Sequence, residues 1–504
     1  MKDPRNNVNQ LTDWKEDFKK KLVSFEEAVG IIRSEDHVVI PPPEQPIYLV
    51  EALAARANEL KNIHLSVCSP LTDPGWLSPG MEASFIVDAE MSIGATARSA
   101  ADEKLISYNP YLFSSRFKEF IEADLRAIHP KIDVFLVPVS PPDEEGFCSF
   151  GHTLWNKRSF AARAHRVVAE INPKFIRTPG HNRIHVSEID YFCEQPPEPD
   201  VSTEEWGILE QMFHWMSRSD LEKHFQLVPG RYLKEFLEIG NTMGYREAGD
   251  FLMRPLRLDP PSDVARGIAG HLKDLIHDGD TIQIGIGRPG SFMVELGVFD
   301  DKNDLGIHTE MGCPGMALLV KKGIANGRYY PLHPGKAVFS SFSGCHAHDL
   351  AYVHENPLFE QYDSDYVVNI QTVSQINHMV SINNALQIDF TGQITAETQF
   401  GPRLIGGQGG QPEMHIGAFL SQGGRAITLL ASTVFGGVST IVPQLEQGSL
   451  VTIPRFFADM VVTEYGTACL LGKSHRERAE ELIRIAHPDH RDFLQDQARE
   501  LFHP

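Results

Sequence analysis

Two runs decide the fold: Thr281-Ile-Gln-Ile-Gly-Ile-Gly287 and, after a helix-like stretch, Gly306-Ile-His-Thr-Glu-Met311. The first reads as a short, almost wholly apolar strand entering a Gly-x-Gly turn. The second reads as a strand that ends beside a carboxylate, Glu310. Short apolar runs bounded by turn residues are the mark of strands buried on both faces. Ligands of open α/β sheets gather beyond the carboxyl ends of such strands, so Glu310 is expected to face the glycine turn across a binding crevice. Gly285, Gly287 and Gly290 also carry the spacing of a dinucleotide fingerprint, with an acidic residue about 20 positions further on. Spacing alone therefore leaves a dinucleotide-binding reading open.

The same rhythm continues in both directions. Downstream, strands are expected at Ile282–Ile286, Gly306–Thr309, Ala337–Ser340, Tyr366–Ile370, Ala426–Leu430 and Met460–Thr463, with a charged helical stretch, Ser474–Leu501, closing the chain. Upstream, apolar runs at His37–Ile40, Ile63–Val67, Phe85–Val87, Val134–Val139 and Val167–Ile171 alternate with helical patterns, including Trp14–Ser34 and Tyr48–Leu60. Such alternation predicts an α/β fold with a mainly parallel sheet in each half. Between the halves, the proline-rich joint Gln195–Asp200 leads into a segment where Trp206, Leu209, Met212, Phe213 and Met216 recur at helical spacing, a packing stripe rather than a cofactor box. The expected organisation is thus residues 1–200, a helical insertion at 201–255 that caps the cleft or widens a subunit contact, and residues 256–504.

Composition narrows the function. Lys+Arg 46 against Asp+Glu 67 leaves a net charge of −21, which argues against nucleic acid or an anionic membrane surface as partner. No apolar run approaches a membrane span, and the residues from Met1 to Lys21 lack the apolar core of a signal peptide. The 6 cysteines form no CxxC pair, which points to a reducing, cytoplasmic setting.

Among chemistry-bearing residues Glu310 leads. A carboxylate is ionised at neutral pH, and as a nucleophile it needs exposed N–H groups to hold the oxyanion formed when it attacks a carbonyl. Gly406-Gly-Gln-Gly-Gly-Gln411 can offer such groups, a flexible loop being the competing reading. Gly423-Gly424 and Gly436-Gly437 suggest a ligand lying over several backbone turns. The loop Ser140–Gly151 and the run Arg177-Thr-Pro-Gly-His181 either line a site or serve only as turns. Cys345-His-Ala-His-Asp349 places two histidines two apart with no third ligand, so no metal is expected. Ser432 lacks a nucleophile elbow, and no Walker A phosphate loop is present.

Read together, Ser140-Pro-Pro-Asp-Glu-Glu-Gly146, Arg177-Thr-Pro-Gly180, Gly285-Ile-Gly287, Gly306–Met311, Ser381–Gln393, Gly407–Gln411, Val461–Gly466 and Ala486-His-Pro488 resemble the class I coenzyme A transferases, in the acetyl-CoA hydrolase/transferase family around 4-hydroxybutyrate and butyrate:acetate CoA-transferases. The resemblance implies two similar open α/β domains with the site between them, commonly in a homodimer. It makes Glu310 the nucleophile on a short-chain acyl-CoA, passing through an acyl-glutamyl anhydride and a glutamyl-CoA thioester. Gly410 and Asn383 then help to hold the oxyanion, while Gly285, Ile286, Gly287, Arg288, Pro289, Gly407 and Gly409 lie along the CoA. Acyl-CoA and carboxylate are substrates, no cofactor is permanently bound, and the dinucleotide reading is displaced. An acyl-CoA hydrolase and a non-catalytic acyl-CoA-binding protein are the alternatives. Pro41-Pro-Pro-Glu-Gln-Pro46 and Gly312-Cys-Pro-Gly-Met316 depart from the family pattern beside the acyl pocket, so the substrate is not carried over from relatives.

Overall fold

The computed structural model describes residues 13–502 apart from 42–43, 69–72, 91–92, 94–96, 127–129, 226–229 and 254–259. The first half forms a 7-stranded sheet from β1 (His37–Ile40), β2 (Ile63–Cys68), β3 (Phe85–Glu90), β4 (Ile106–Asn109), β5 (Val134–Val139), β6 (Arg166–Ile171) and β7 (Tyr191–Glu194), in spatial order β4-β3-β2-β1-β5-β6-β7. The second half forms an 8-stranded sheet from β8 (Thr281–Ile284), β9 (Gly306–Met311), β10 (Ala337–Ser341), β11 (Phe359–Gln361), β12 (Met379–Asn384), β13 (Arg425–Leu429), β14 (Met460–Thr463) and β15 (Gly466–Cys469), in order β11-β10-β9-β8-β12-β13-β14-β15. Every pairing is parallel except β14 with β15. The second sheet repeats the winding of the first and adds one antiparallel edge strand. In each sheet the order reverses beside the first strand, which sets the switch point of the second sheet between β8 and β12.

Packing explains the strand compositions. β5 is buried along its whole length, and one apolar cluster joins Val39, Phe135, Val137 and Ala169 of the first sheet to Val338, Val367, Val368, Met379 and Met414 of the second half. The two sheets therefore share a core. The helices Thr203–Met212, Arg218–His224, Gly230–Met243 and Tyr245–Met253 form a separate unit around Leu209, Met212, Phe213, Leu221 and Phe225, with Trp206 and Met216 packed against it. That is the role expected of the Trp/Phe/Met stripe.

Some elements differ from expectation. Tyr366–Ile370 is not a strand: Ser364–Val367 and Ile370–Val373 are short helices, the second capped by the Asn369 side chain. Val367 and Val368 are buried in the shared core, and an apolar run buried all round does not distinguish strand from helix. The slot beside β8 is filled instead by Met379–Asn384. β4, β7, β11 and β15 also escape the periodicity argument: they are the four sheet edges, each partly exposed and so without the continuous apolar run of a central strand. The stretch after Gly287 is a single turn of 3-10 helix, Gly290–Phe292, followed by turns rather than a regular helix.

Both ambiguous loops of the first half brace the structure. Arg177 Nη1 donates to Phe147 O (3.0 Å) and Nη2 to Pro141 O (2.5 Å), so the Arg177 run clamps the Ser140–Gly151 loop. The following residues reach the second half: Leu154 N–H donates to Ser340 O (3.0 Å), Phe342 N–H to His152 O (2.7 Å) and His181 N–H to Gln361 O (2.8 Å). Gly180 sits at φ +95°, and a Cβ there would lie 2.3 Å from Gln361 O. Gly180→Ala is expected to lower stability by about 2 to 4 kcal/mol, from left-handed strain plus the collision, read by denaturant unfolding.

Candidate active site

Glu310 lies in the last turnless stretch of β9, and its companion two residues earlier shows how the strand is fixed. His308 is fully buried, with Nε2 2.6 Å from Val367 O and Nδ1 against the Tyr330 hydroxyl. Burial pushes its imidazole down to about 4, so it is neutral and acts as a structural tie.

Opposite Glu310 is the start of the helix Gln411–Leu420. Gly410 is its N-cap, Pro412 occupies its first turn, and the Gly410 N–H donates to Glu310 Oε2 at 2.9 Å. The glycine run expected to supply N–H groups is thus a helix N-terminus, where the aligned peptide dipoles also favour negative charge. A Cβ on Gly410 would stand 2.2 Å from Glu310 Oε2 and 3.1 Å from Val368 Cγ1, so any side chain there would displace the carboxylate. Gly407 and Gly409 lie in the approach to this cap, Gly409 at φ +52°.

Burial drives the Glu310 carboxyl up to about 8; the Gly410 N–H acts the other way, and nearby Glu413 adds to the rise. Glu413 is itself buried, and burial pushes it up to about 7 while the N–H groups of Phe113 and Ser114 oppose the change. Those bonds cross between domains: Phe113 N–H donates to Glu413 Oε2 at 2.8 Å and Ser114 N–H to Oε1 at 3.0 Å. Gln408 makes a parallel tie, accepting from the Tyr108 hydroxyl and donating to Tyr111 O. Arg98 Nε reaches Ile405 O at 2.7 Å. The loop that presents Gly410 is therefore clamped along residues 98–114 of the first domain.

The Gly285–Gly290 turn lies at the switch point between β8 and β12, and its geometry accounts for its glycines. Asn384 Oδ1 accepts from Gly290 N–H (2.8 Å), and its Nδ2 donates to Gly285 O (3.2 Å). Cβ atoms on Gly287 and Gly290 would each lie 2.9 Å from Asn384 Nδ2, and one on Gly285 would lie 2.7 Å from Asn383 Oδ1. Close packing of side-chain amides under the turn thus requires the glycine spacing, and no dinucleotide is needed to explain it. Within the turn Arg288 stacks over Phe292 at 5.6 Å, Pro289 follows a cis peptide bond, and Ile286 closes on Gly344, whose Cβ would lie 3.1 Å from Ile286 Cγ2.

Asn383 is placed differently from its expected role. Its amide bonds go to Gln283 (3.0 and 3.1 Å) and Ser381 (2.7 Å), which joins β8 to β12 beneath the turn. Among the described residues no hydrogen bond links it to Glu310. The other motifs resolve into turns and caps. Gly423-Gly424 connects the Gln411 helix to β13, and Gly436-Gly437 closes a small hairpin. Ser432 is held by Glu464, through N–H to Oε2 (3.0 Å) and Oγ to Oε1 (2.6 Å). His346 pairs with Glu295 at 3.2 Å, and among the described residues no group of three or more His, Cys, Asp or Glu is placed to hold a metal.

The residues that sequence reasoning missed are Glu413, Gln408 and Asn384. Each adjoins a motif that was read for its glycines or its neighbour, and each acts through a partner distant in sequence. Together the arrangement sets a half-buried carboxylate against one backbone donor at a helix N-terminus, in a seam between two α/β domains. Attack on an acyl carbonyl is the chemistry such a group supports.

Residues 5–201 match the acetyl-CoA hydrolase/transferase N-terminal domain, and residues 348–498 match the acetyl-CoA hydrolase/transferase C-terminal domain. The chain is 34% identical to a 4-hydroxybutyrate coenzyme A transferase of Clostridium kluyveri over 97% of its own length and 100% of that protein. It is 29% identical to a butyryl-CoA:acetate CoA-transferase of Anaerostipes caccae, over 95% of this chain and 96% of that one. The crystal structure of RipA from Yersinia pestis superposes with a TM-score of 0.77 at 26% identity, covering 98% of this chain and 100% of that chain.

Proposed function

The chain belongs to the acetyl-CoA hydrolase/transferase family and is a CoA-transferase, and from that premise we propose that it moves CoA from a short-chain acyl-CoA to a free carboxylate through Glu310. The observation that carries the proposal is the Glu310 carboxylate, half-buried in the interdomain seam with the Gly410 N–H 2.9 Å from Oε2.

The ionised Glu310 attacks the thioester carbonyl carbon, the C–S bond breaks, and CoA leaves as a thiolate from a mixed anhydride. The thiolate then attacks the glutamyl carbonyl, releasing the first carboxylate and leaving a glutamyl-CoA thioester. An incoming carboxylate attacks that thioester, and the freed thiolate returns to the new acyl group, which restores Glu310. Atoms and charge balance without ATP, because the energy of the thioester is kept in covalent intermediates. The Gly410 N–H and the helix N-terminus stabilise the tetrahedral oxyanion, while the clamp along residues 98–114 helps to keep water from the anhydride. Gly285–Pro289, Gly407 and Gly409 lie along the CoA in this reading. Asn383 acts on the oxyanion only indirectly, by joining β8 to β12 beneath the turn through Gln283 and Ser381.

The test is incubation with acetyl-, propionyl- or butyryl-CoA followed by intact-protein mass measurement, without and with a second carboxylate. A CoA adduct that disappears on adding an acceptor, with a new acyl-CoA formed, is expected. Thiol release independent of acceptor would instead assign a hydrolase, and neither adduct nor release would reduce the protein to an acyl-CoA binder. The reading also includes a cytoplasmic homodimer, checked for its mass by light scattering.

Asn384→Ala removes two hydrogen bonds that hold the Gly285–Gly290 turn, each worth about 1 kcal/mol. The expected result is a KM for acyl-CoA raised about tenfold, with kcat within a factor of about three, measured by initial rates.

A further inference from the structure

We propose that the chain carries a second ligand site, separate from Glu310, that takes a nucleoside phosphate with an amino-bearing base, in the cavity where the Arg177–His181 run meets the residues following β11.

The cavity measures about 690 Å³, enough for a molecule of that size, and it lies between the two halves, where ligand pockets are commonly built. Phe147, Gly180 and His181 line it from the first half, and His333, Tyr362 and Tyr366 line it from the second. The two first-half runs that Arg177 clamps together therefore also wall a cavity. Neither the Glu310–Gly410 contact nor the Gly285–Gly290 turn contributes a residue to that lining. The short helix Ser364–Val367 stands between the two places: Asp365 and Tyr366 line the cavity, while Val367 O lies 2.6 Å from His308 Nε2 on β9.

Three arginines line the cavity, in a chain whose net charge is −21. Arg158 is paired with Glu188 at 2.7 Å. The other two are held on rings: Arg183 lies over Phe147 at 4.7 Å, and Arg163 lies over Phe117 at 4.4 Å with Nη1 donating to Ser159 O at 2.9 Å. Among the described residues neither of these guanidiniums has a carboxylate at ion-pair distance, and Asp365 and Asp363 act on Arg163 only from further off. A guanidinium placed in this way keeps N–H donors in a rigid fork that suits a phosphate. Arg183 is exposed and Asp363 only 5% exposed, which sets a cation at the rim above an acidic floor.

The wall and the floor suit a base. Tyr362 packs against His181, His333 and Tyr366, with ring centroids 4.7, 4.9 and 5.4 Å apart. The polar ends are tied: the Tyr362 hydroxyl donates to Glu360 Oε2 at 3.0 Å, and the Tyr366 hydroxyl is 2.8 Å from His333 Nε2. Rings fixed like this form a stacking platform for a planar base. At the floor, Ser159 Oγ lies 2.7 Å from Asp363 Oδ2 and 3.0 Å from Asp365 Oδ2. One hydroxyl proton cannot serve two carboxyl groups, so acceptor capacity remains for an amino group. A bare phosphate would meet like charge there, whereas a nucleotide turns its base inward and its phosphate toward Arg183 and Arg163.

Isothermal titration calorimetry of the full chain tests the site, with AMP, adenosine, ribose 5-phosphate and UMP as probes and Arg183→Gln as the variant. AMP is expected to bind, with adenosine and ribose 5-phosphate each at least about tenfold weaker, and UMP, which has no amino group, about fivefold weaker. Arg183→Gln should weaken AMP about tenfold and leave the rate of butyryl-CoA turnover within a factor of about two. No binding of AMP would overturn the proposal. So would AMP that binds Arg183→Gln unchanged and competes with butyryl-CoA, since it would then occupy the Glu310 crevice. Ribose 5-phosphate or UMP bound as tightly as AMP would overturn the assignment of the base.

Discussion

Glu310→Gln is expected to abolish CoA exchange, by on the order of 10⁴-fold or more, while leaving the protein folded and more stable than before. The amide keeps the shape of the carboxyl but is not a nucleophile, so neither an anhydride nor a glutamyl thioester can form. The gain in stability follows from the same burial that tunes the acid. In the unfolded chain a glutamate ionises near 4.5, whereas in the native state Glu310 is held up to about 8. Between those values the native state keeps a proton that the unfolded state has lost, so stability falls as pH rises through the window and levels off above it. Glutamine removes that slope. The stability advantage of Glu310→Gln should therefore grow from about pH 5 to about pH 8, by a few kcal/mol, and stay constant beyond. Denaturant unfolding at pH 5 and pH 9 reads it, and an advantage equal at both would contradict a Glu310 carboxyl raised by desolvation. In the active protein kcat/KM for acyl-CoA should climb with pH, half-maximal near 8 and level about one unit above, because only the ionised glutamate attacks.

Gly410→Ala should remove about 10³-fold of the transfer rate with only a small cost in stability. The backbone there, φ −86° and ψ 4°, admits alanine without strain, and an alanine N-cap costs about 1 kcal/mol relative to better capping residues. The damage is local: the new methyl carbon would lie 2.2 Å from Glu310 Oε2, so the nucleophile must swing away from its only backbone donor in the described site. Loss of a single oxyanion donor accounts for about 10² to 10³ by itself. Circular dichroism should be unchanged, and the CoA adduct in the mass spectrum should form slowly or not at all. A variant with near-normal exchange would show that the carboxylate does not work from the position seen at the helix N-terminus.

Much of this was legible in the residues. The apolar runs at 281–284 and 306–311 announce buried parallel strands, and the carboxylate at a strand end beside a glycine turn announces a site. Tyr366–Ile370 failed because Val367 and Val368 are buried in a core shared by both sheets, where apolar composition says nothing about period. Asn383 was singled out for the oxyanion, yet its amide is spent on Gln283 and Ser381, and it is the neighbouring Asn384 that holds the turn. Neighbours on a strand point to opposite faces, and only the register of β8 with β12 decides which one meets the loop.

The sequence by itself determined the alternating α/β architecture, the carboxylate at a strand end and the glycines that let backbone approach it, since all three follow from spacing along the chain. Tertiary structure alone decided that the glycine run caps a helix, that Glu413 and Gln408 fasten this cap to residues 108–114, and that burial and a second carboxylate tune Glu310. Those effects arise between residues about 100 to 300 positions apart, as Gly410 is from Glu310 and Glu413 is from Phe113. Desolvation and cross-domain hydrogen bonds depend on what the chain brings close, and no local pattern records it.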